Sequence, residues 1–394
     1  MEIVNILGLM MAFVFWLSVT GLLMVFLVYP FFISIVNRIA VKEVNKENIT
    51  PLISLIIAAY NEEDSIREKI ENTISLNYPT EKKEIIVVSD GSTDNTNEII
   101  NSFEEQQNFH SIILEKNQGK TNAVNSAMEV AKGEIIVFTD ANVILEDNAL
   151  IHLVNNFADE EVGCVCGQLS YINDEESGTA ETGGLYWRYE EFIKKMESKT
   201  GSTMGADGSI FAIRKELFRK LEPFLIDDFS TSMNALFQGY RIVFDPEAKA
   251  YERHTTEIKD EIKRRRRIAN RVFNAISYFK KEFLKLSFLN QIKFLFHKYL
   301  RYWAGLFMIT AFISNAMLFN EGSIYQVFFL LQLIFYVVAL LGAFLNKLDL
   351  KMKVFHIPYY FTIMNWMQLL GVIDSLLGRR QVKWNTVNSS RKPN

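Results

Sequence analysis

Cysteine is nearly absent from this 394-residue chain, and so are the marks of several function classes. Cys164 and Cys166 alternate in an apolar stretch and read as buried packing rather than as a disulfide. The string DGSTDNTNEII from Asp90 lacks the glycine at its sixth position and the acid at its twelfth that a calcium-binding loop needs. NQGK at Asn117–Lys120 has one glycine and no GxxxxGK[ST] pattern. That excludes a phosphate loop and leaves Lys120 as a single point charge for a phosphate. The basic run Lys263–Arg267 has no nucleic-acid recognition motif beside it and the rest of the domain is acidic, so no nucleic acid is expected as a partner.

Charge is also missing where its absence says most. The net charge is only -4 and 49% of residues are apolar, but no charged residue lies between Glu2 and Arg38, and about 20 apolar residues suffice to cross a bilayer. The start lacks the basic residues, short apolar core and small-residue cleavage site of a signal peptide. A retained span is expected, with Pro30 kinking or ending its helix. Three more uncharged stretches follow, Trp303–Asn320, Gly322–Asn346 and Val354–Ile373, the last broken only by His356. The first two read as spans.

Lys and Arg collect on the cytoplasmic side of short loops. Arg38, Lys42 and Lys46 follow the first span and Lys293, Lys298 and Arg301 precede the second, which places the middle of the chain in the cytoplasm. Lys347, Lys351 and Lys353 mark a return inside. Arg379, Arg380 and Lys383 also ask to be inside, which one crossing by the fourth stretch does not allow. Pro358, Asn365, Gln368 and Asp374 favour a re-entrant or interfacial segment there. Between Tyr278 and Phe296 an interfacial helix is expected, with Phe283, Leu284, Phe288 and Leu289 on the bilayer. The chain divides into an anchor (1–45), a soluble domain (46–275) and a carboxy-terminal membrane region (276–394).

Within the soluble domain ISLIIAAYNEE, KEIIVVSDGSTDN and GEIIVFTDANV are continuous Ile/Val-rich runs that end in carboxylates and amides. Such runs are strands buried on both faces, and the segments after them (64–76, 94–103 and 120–130) carry helical spacing. An α/β fold with a mostly parallel sheet is expected. Ligands bind outside the carboxyl ends of such strands, so Glu62, Glu63, Asp90, Asp94, Asp140 and Asn142 should line one crevice. In TDAN, Asp140 offers a carboxylate to a hard divalent cation, magnesium or manganese, with Asn142 contributing a carbonyl oxygen directly or through water. Asp207 follows a small-residue turn. Asp227 and Asp228 precede a helix, where one of them is either a cap or a base for an attacking hydroxyl.

IIAAYNEE, VVSDGSTDNT, NQGKTNAVN, FTDAN, GADGSIF and IDDF stand here in the order found in the family 2 glycosyltransferases, which have the GT-A fold. The resemblance runs from about Pro51 to Arg271. With hydrophobic segments on both sides, the arrangement also looks like the membrane-embedded synthases of hyaluronan, cellulose and poly-N-acetylglucosamine. The resemblance implies a nucleotide-sugar donor held by Glu62, Asp90, Lys120, Asp140 and Arg267, with Asp90 on the base. It implies a cation on Asp140 and Asn142, Asp228 as general base, and inversion at the anomeric carbon. Asp227 stands where the family has Glu and joins Trp187 and Asp207 on the acceptor side, where Tyr186 and Tyr189 also offer flat faces. The Gln-x-x-Arg-Trp signature of processive members is replaced by RRRRIANR from Arg264, with Ile268 at the Trp position.

Two products follow from this reading, a growing polysaccharide or a single sugar on a membrane lipid or lipid-linked oligosaccharide. A non-catalytic transporter or scaffold with a nucleotide-binding domain is the alternative of another class, and a membrane-attached nucleotidyltransferase would release pyrophosphate instead of nucleoside diphosphate.

Overall fold

A computed structural model describes residues 2–172, 178–253, 257–348, 350 and 352–383. Lys351, one of the charges expected to mark the return inside, lies outside them. The chain opens with α1 (Glu2–Leu23), a π turn (Met24–Val28) and α2 (Tyr29–Ile39), together one helical rod. Pro30 neither ends nor breaks this rod. It sits in the first turn of α2, where the wider π turn before it accommodates a residue with no N–H.

The soluble domain carries β1 (Ile53–Ala59), α3 (Ile66–Ser75), β2 (Lys83–Asp90), α4 (Thr96–Asn101), β3 (Phe109–Leu114), α5 (Lys120–Val130) and β4 (Ile135–Asp140). There follow β5 (Ile144–Leu145), α6 (Ala149–Asn155), β6 (Val162–Tyr171), α7 (Gly178–Lys199), β7 (Ile210–Arg214), α8 (Asp227–Phe237) and β8 (Arg241–Glu252). The eight strands form one sheet in the order β3-β2-β1-β4-β7-β6-β8-β5. Strands β1 to β4 are parallel, as their uninterrupted apolar runs predict. The other half is mixed, because β7 runs antiparallel to both β4 and β6.

Period-2 alternation gives the sheet two cores. Leu55, Ile57 and Val87 pack with Ile66 and Ile70 of α3 and Leu150 of α6 on one face. Ile56, Val88 and both cysteines pack with α5 and α8 on the other. Cys164 and Cys166 are buried and unbridged. The second core does not stop at the domain edge. It continues through Phe273 of α9 (Ile258–Tyr278) to Phe283 of α10 (Lys280–Phe283) and Val372 of α14 (Lys353–Leu376).

After α11 (Phe288–Lys293) come a π turn (Phe294–Tyr299), a 3-10 turn (Leu300–Trp303), α12 (Ala304–Met317) and α13 (Ser323–Lys347). Among the described residues two helices are long and apolar enough to cross a membrane, Ile6–Ile39 and Ser323–Lys347. In the segment expected as the second span the regular α-helix is short. The 14 residues of α12 rise roughly 21 Å, against a hydrocarbon core of about 30 Å. The π and 3-10 turns Phe294–Trp303 run into it without a break, and Lys298 and Arg301 within them pair with Glu190 of α7. Phe283 does not face lipid but stacks on Phe294 at 3.8 Å inside the core, while Leu284 and Phe288 are exposed. The last stretch, α14, is a single 24-residue helix through Pro358 with no re-entrant break. Its Asp374 is paired to Arg266 of α9 at 2.6 Å, and its Asn365 and Gln368 are buried.

Candidate active site

The carboxyl ends of β1 and β4 open onto a cavity of about 320 Å³. It is walled on one side by strand-end acids and on the other by α7, α9 and residues 297–302. Glu62, Lys120, Asp140, Asn142, Trp187, Asp207, Asp227, Asp228 and Arg267 all line it. Their convergence follows from topology. Adjacent parallel strands deliver Glu62 and Asp140, the first turn of α5 delivers Lys120, and the start of α8 delivers the two aspartates.

Gly208 sets the scale of the centre. A Cβ there would lie 3.1 Å from Lys120 Nζ, 3.2 Å from Asp228 Oδ2 and 3.4 Å from Asp140 Oδ2. Three charged groups meet around a residue that has no side chain to keep them apart. Lys120 Nζ bridges Asp140 Oδ1 at 2.6 Å and Asp227 Oδ2 at 3.0 Å. Burial opposes its charge, but Asp140, Asp227 and Asp228 hold the ammonium firmly protonated.

The adjacent aspartates diverge. Burial alone would raise Asp227, yet Lys120 and Arg271 keep its carboxyl below the usual range. Asp228 is pushed up to about 6 by burial and then by the charge of Asp227. One carboxylate is thus fixed as an ion-pair partner and the other as a proton acceptor near neutrality.

A family model described as Glycosyl transferase family 2 matches residues 54–222. The chain carries a family 2 glycosyltransferase domain. It is 29% identical over 205 residues to the poly-beta-1,6-N-acetyl-D-glucosamine synthase of Staphylococcus aureus strain MSSA476, covering 50% of this chain and 49% of the synthase. The chain thus spans about half the length of such synthases. A longer match, 28% identical over 368 residues, joins 85% of this chain to 86% of the probable glycosyltransferase YdaM of Bacillus subtilis strain 168. Among solved structures, the mannosyltransferase PcManGT of Pyrobaculum calidifontis, in complex with GDP-Man and Mn2+, superposes with a TM-score of 0.72 at 20% identity. That match covers 95% of this chain and 100% of the mannosyltransferase, and the shared fold is GT-A.

Against this frame the remaining residues of the glycosyltransferase domain sort themselves. Asp90 does not line the cavity. It is fully buried, and its carboxylate accepts from the backbone N–H groups of Gln118 and Gly119 at 2.9 and 2.8 Å, so it shapes the turn that presents Lys120. Gly91 lets that turn nest, since a Cβ there would meet the backbone of Asn117 at 2.5 Å. Glu63 and Asp94 do not reach the crevice either. They accept from the backbone N–H groups of Asn95, Glu63 and Thr96 on the outer surface of the turns.

On the wall that α7 supplies, Asp207 is ion-paired to the buried Lys194, whose ammonium also lies 4.9 Å from the Trp187 ring centre. Trp187 donates its indole N–H to Leu169 O at 2.8 Å, which fixes the ring at the wall. Tyr186 lies between the guanidinium groups of Arg265 and Arg301, 4.4 and 5.0 Å from its ring centre.

The donor set suits a hard cation that relies on its ligand for completion. Among the described residues no cluster of three or more His, Cys, Asp or Glu side chains is placed to hold a metal by itself. Asp140 presents its Oδ2 beside Gly208. Asn142 donates its amide N–H to Glu252 at 2.9 Å, and because a carboxylate only accepts, this orients the amide. Oxygen ligands of this kind, completed by diphosphate oxygens and water, fit magnesium or manganese.

Glu252 and Gly208 carry these arrangements although neither stands out in sequence. Glu252 is 110 residues from Asn142. Only the glycine in GADGS hints at a close approach.

Proposed function

We propose that the protein is a membrane-bound inverting glycosyltransferase that moves a sugar from a nucleotide-sugar, a UDP-sugar by its kinship with the synthases, to a growing polysaccharide. The observation that carries this is the meeting of Lys120, Asp140 and Asp228 around Gly208. An acceptor hydroxyl gives its proton to Asp228 as its oxygen attacks the anomeric carbon, and the bond from that carbon to the diphosphate breaks. Negative charge develops on the leaving diphosphate. Lys120 and Arg267 lie in the same cavity to neutralise it. A divalent cation on Asp140, with Asn142 beside it, would supply Lewis-acid stabilisation of the same charge. Trp187 and Asp207 form the acceptor wall. Two apolar helices support anchorage in the plasma membrane, with the catalytic domain on the cytoplasmic side.

Ile268 favours a second product. It lines the cavity where processive relatives would place a Trp. Gln368 of α14 and Tyr302, both from the hydrophobic carboxy-terminal region, line the same cavity, which suits a lipid or lipid-linked acceptor. Membranes containing the protein, incubated with a panel of labelled UDP-sugars and GDP-mannose, separate the products by size. A ladder or polymer supports the synthase, and one labelled lipid supports single transfer. Absence of incorporation from every donor, in membranes where the protein is folded, overturns both.

A further inference from the structure

Behind the acid-lined edge, α3 carries two polar residues one turn apart, and both grip the loop that follows β4. Lys69 is completely buried. Its ammonium donates to Thr139 Oγ1 at 2.9 Å and to Val143 O at 2.6 Å, the two ends of the segment that carries Asp140 and Asn142. The Thr139 hydroxyl passes the link on, donating to Ser209 O at 2.8 Å. Ser209 follows Gly208. Asn72 then makes a two-way bond with Leu145, 2.9 Å in each direction.

One ammonium therefore ties together the loop that offers Asp140 and the turn that brings Gly208 against Lys120 and Asp228. Its position is costly. A buried cation loses its hydration, and among the described residues Lys69 has no carboxylate in ion-pair contact. Two neutral oxygens would be satisfied as well by an uncharged donor. Burial pulls the Lys69 ammonium down to about 7, against which the charge of Asp140 favours the protonated form. Lys83 offers the contrast. It too is buried and donates to backbone carbonyls, those of Thr73, Ile74 and Leu76, but it closes the far end of α3 away from the cavity.

We propose that Lys69 is a positioning residue for the donor-cation site, holding the Asp140–Asn142 loop and the Gly208 turn in register through Thr139. It touches neither donor nor acceptor. The proposal rests on the glycosyltransferase reading above.

The test is Mn2+ binding to the full-length protein in detergent, titrated by electron paramagnetic resonance in the presence of UDP, alongside thermal unfolding. Removal of groups that orient metal ligands typically weakens binding 10- to 100-fold. Lys69→Met is expected to weaken Mn2+ binding by about 10-fold or more, and Thr139→Val, which keeps the lysine and breaks the relay, in the same direction. Lys83→Met is expected to lower the melting temperature and leave Mn2+ affinity unchanged. If Lys69→Met does not fold, Thr139→Val decides. Affinity equal to wild type in the folded Lys69 or Thr139 variant overturns the positioning role while leaving the transferase reading intact. A wild-type protein that binds no Mn2+ overturns the cation site itself.

Discussion

Asp228, the proposed base, sits where its charge is poorly tolerated, and that tension can be measured twice. Burial and Asp227 raise its folded-state pKa to about 6, above the unfolded value of about 3.9. Protonation then favours the folded state. This contribution to stability is complete below about pH 4 and is lost as the pH rises through about 6. Activity runs the other way, since only the ionised form accepts a proton. The turnover rate is expected to climb with pH through a midpoint near 6. Asp228→Asn should cut turnover by roughly 10²–10⁴-fold and, at pH 7.5, raise the melting temperature. Retained turnover would remove the base assignment, and a lower melting temperature would remove the charge argument.

At this scale the sequence was informative wherever a residue's role depends on its own strand end. Asp140, Lys120 and the Asp227–Asp228 pair were readable as carboxylates and a point charge at one crevice. Asp90, Glu63 and Asp94 were not, because turn acids that face ligand and turn acids that cap backbone N–H groups look alike until the partner loop is in place.

Elements show the same division. The parallel half of the sheet is written in its apolar runs, whereas the antiparallel insertion of β7 depends on long-range pairing that no local period encodes. The anchor is another such case. Uncharged length predicts a span, but not that its carboxyl end is locked into the domain. Tyr29 of α2 donates to Glu197 of α7, which also bonds His297 at 2.9 Å. His297 in turn reaches Glu190, and Glu190 holds Lys298 and Arg301 at 3.1 and 2.6 Å. Helix α7 is therefore the plate onto which both the anchor and the segment before α12 are bolted. Removing one donor from a buried carboxylate costs about 1–3 kcal/mol. Tyr29→Phe should lower the thermal stability of the detergent-solubilised protein by that order, with donor binding preserved. Unchanged stability would mean that apolar packing alone docks the anchor.

For the whole molecule, the cavity makes the carboxy-terminal helices part of the enzyme. Helices α9 and α14 cross so closely that a Cβ on Gly371 would lie 2.5 Å from Arg266 O, and Asn270 donates to Arg379 O at 2.8 Å. The cavity wall includes Arg301, Tyr302 and Gln368, all beyond residue 275. A soluble fragment of residues 46–275 keeps Asp140 and Asp228 but loses this wall and uncovers the buried face of α9, including Ala269, Val272 and Phe273. It is expected to aggregate, or to stay soluble without transferring sugar, while the full chain in detergent remains active. The comparison is made with equal amounts of folded protein and the donor identified from the labelled panel. A fragment that transfers sugar at the rate of the full chain would reduce the carboxy-terminal region to a tether.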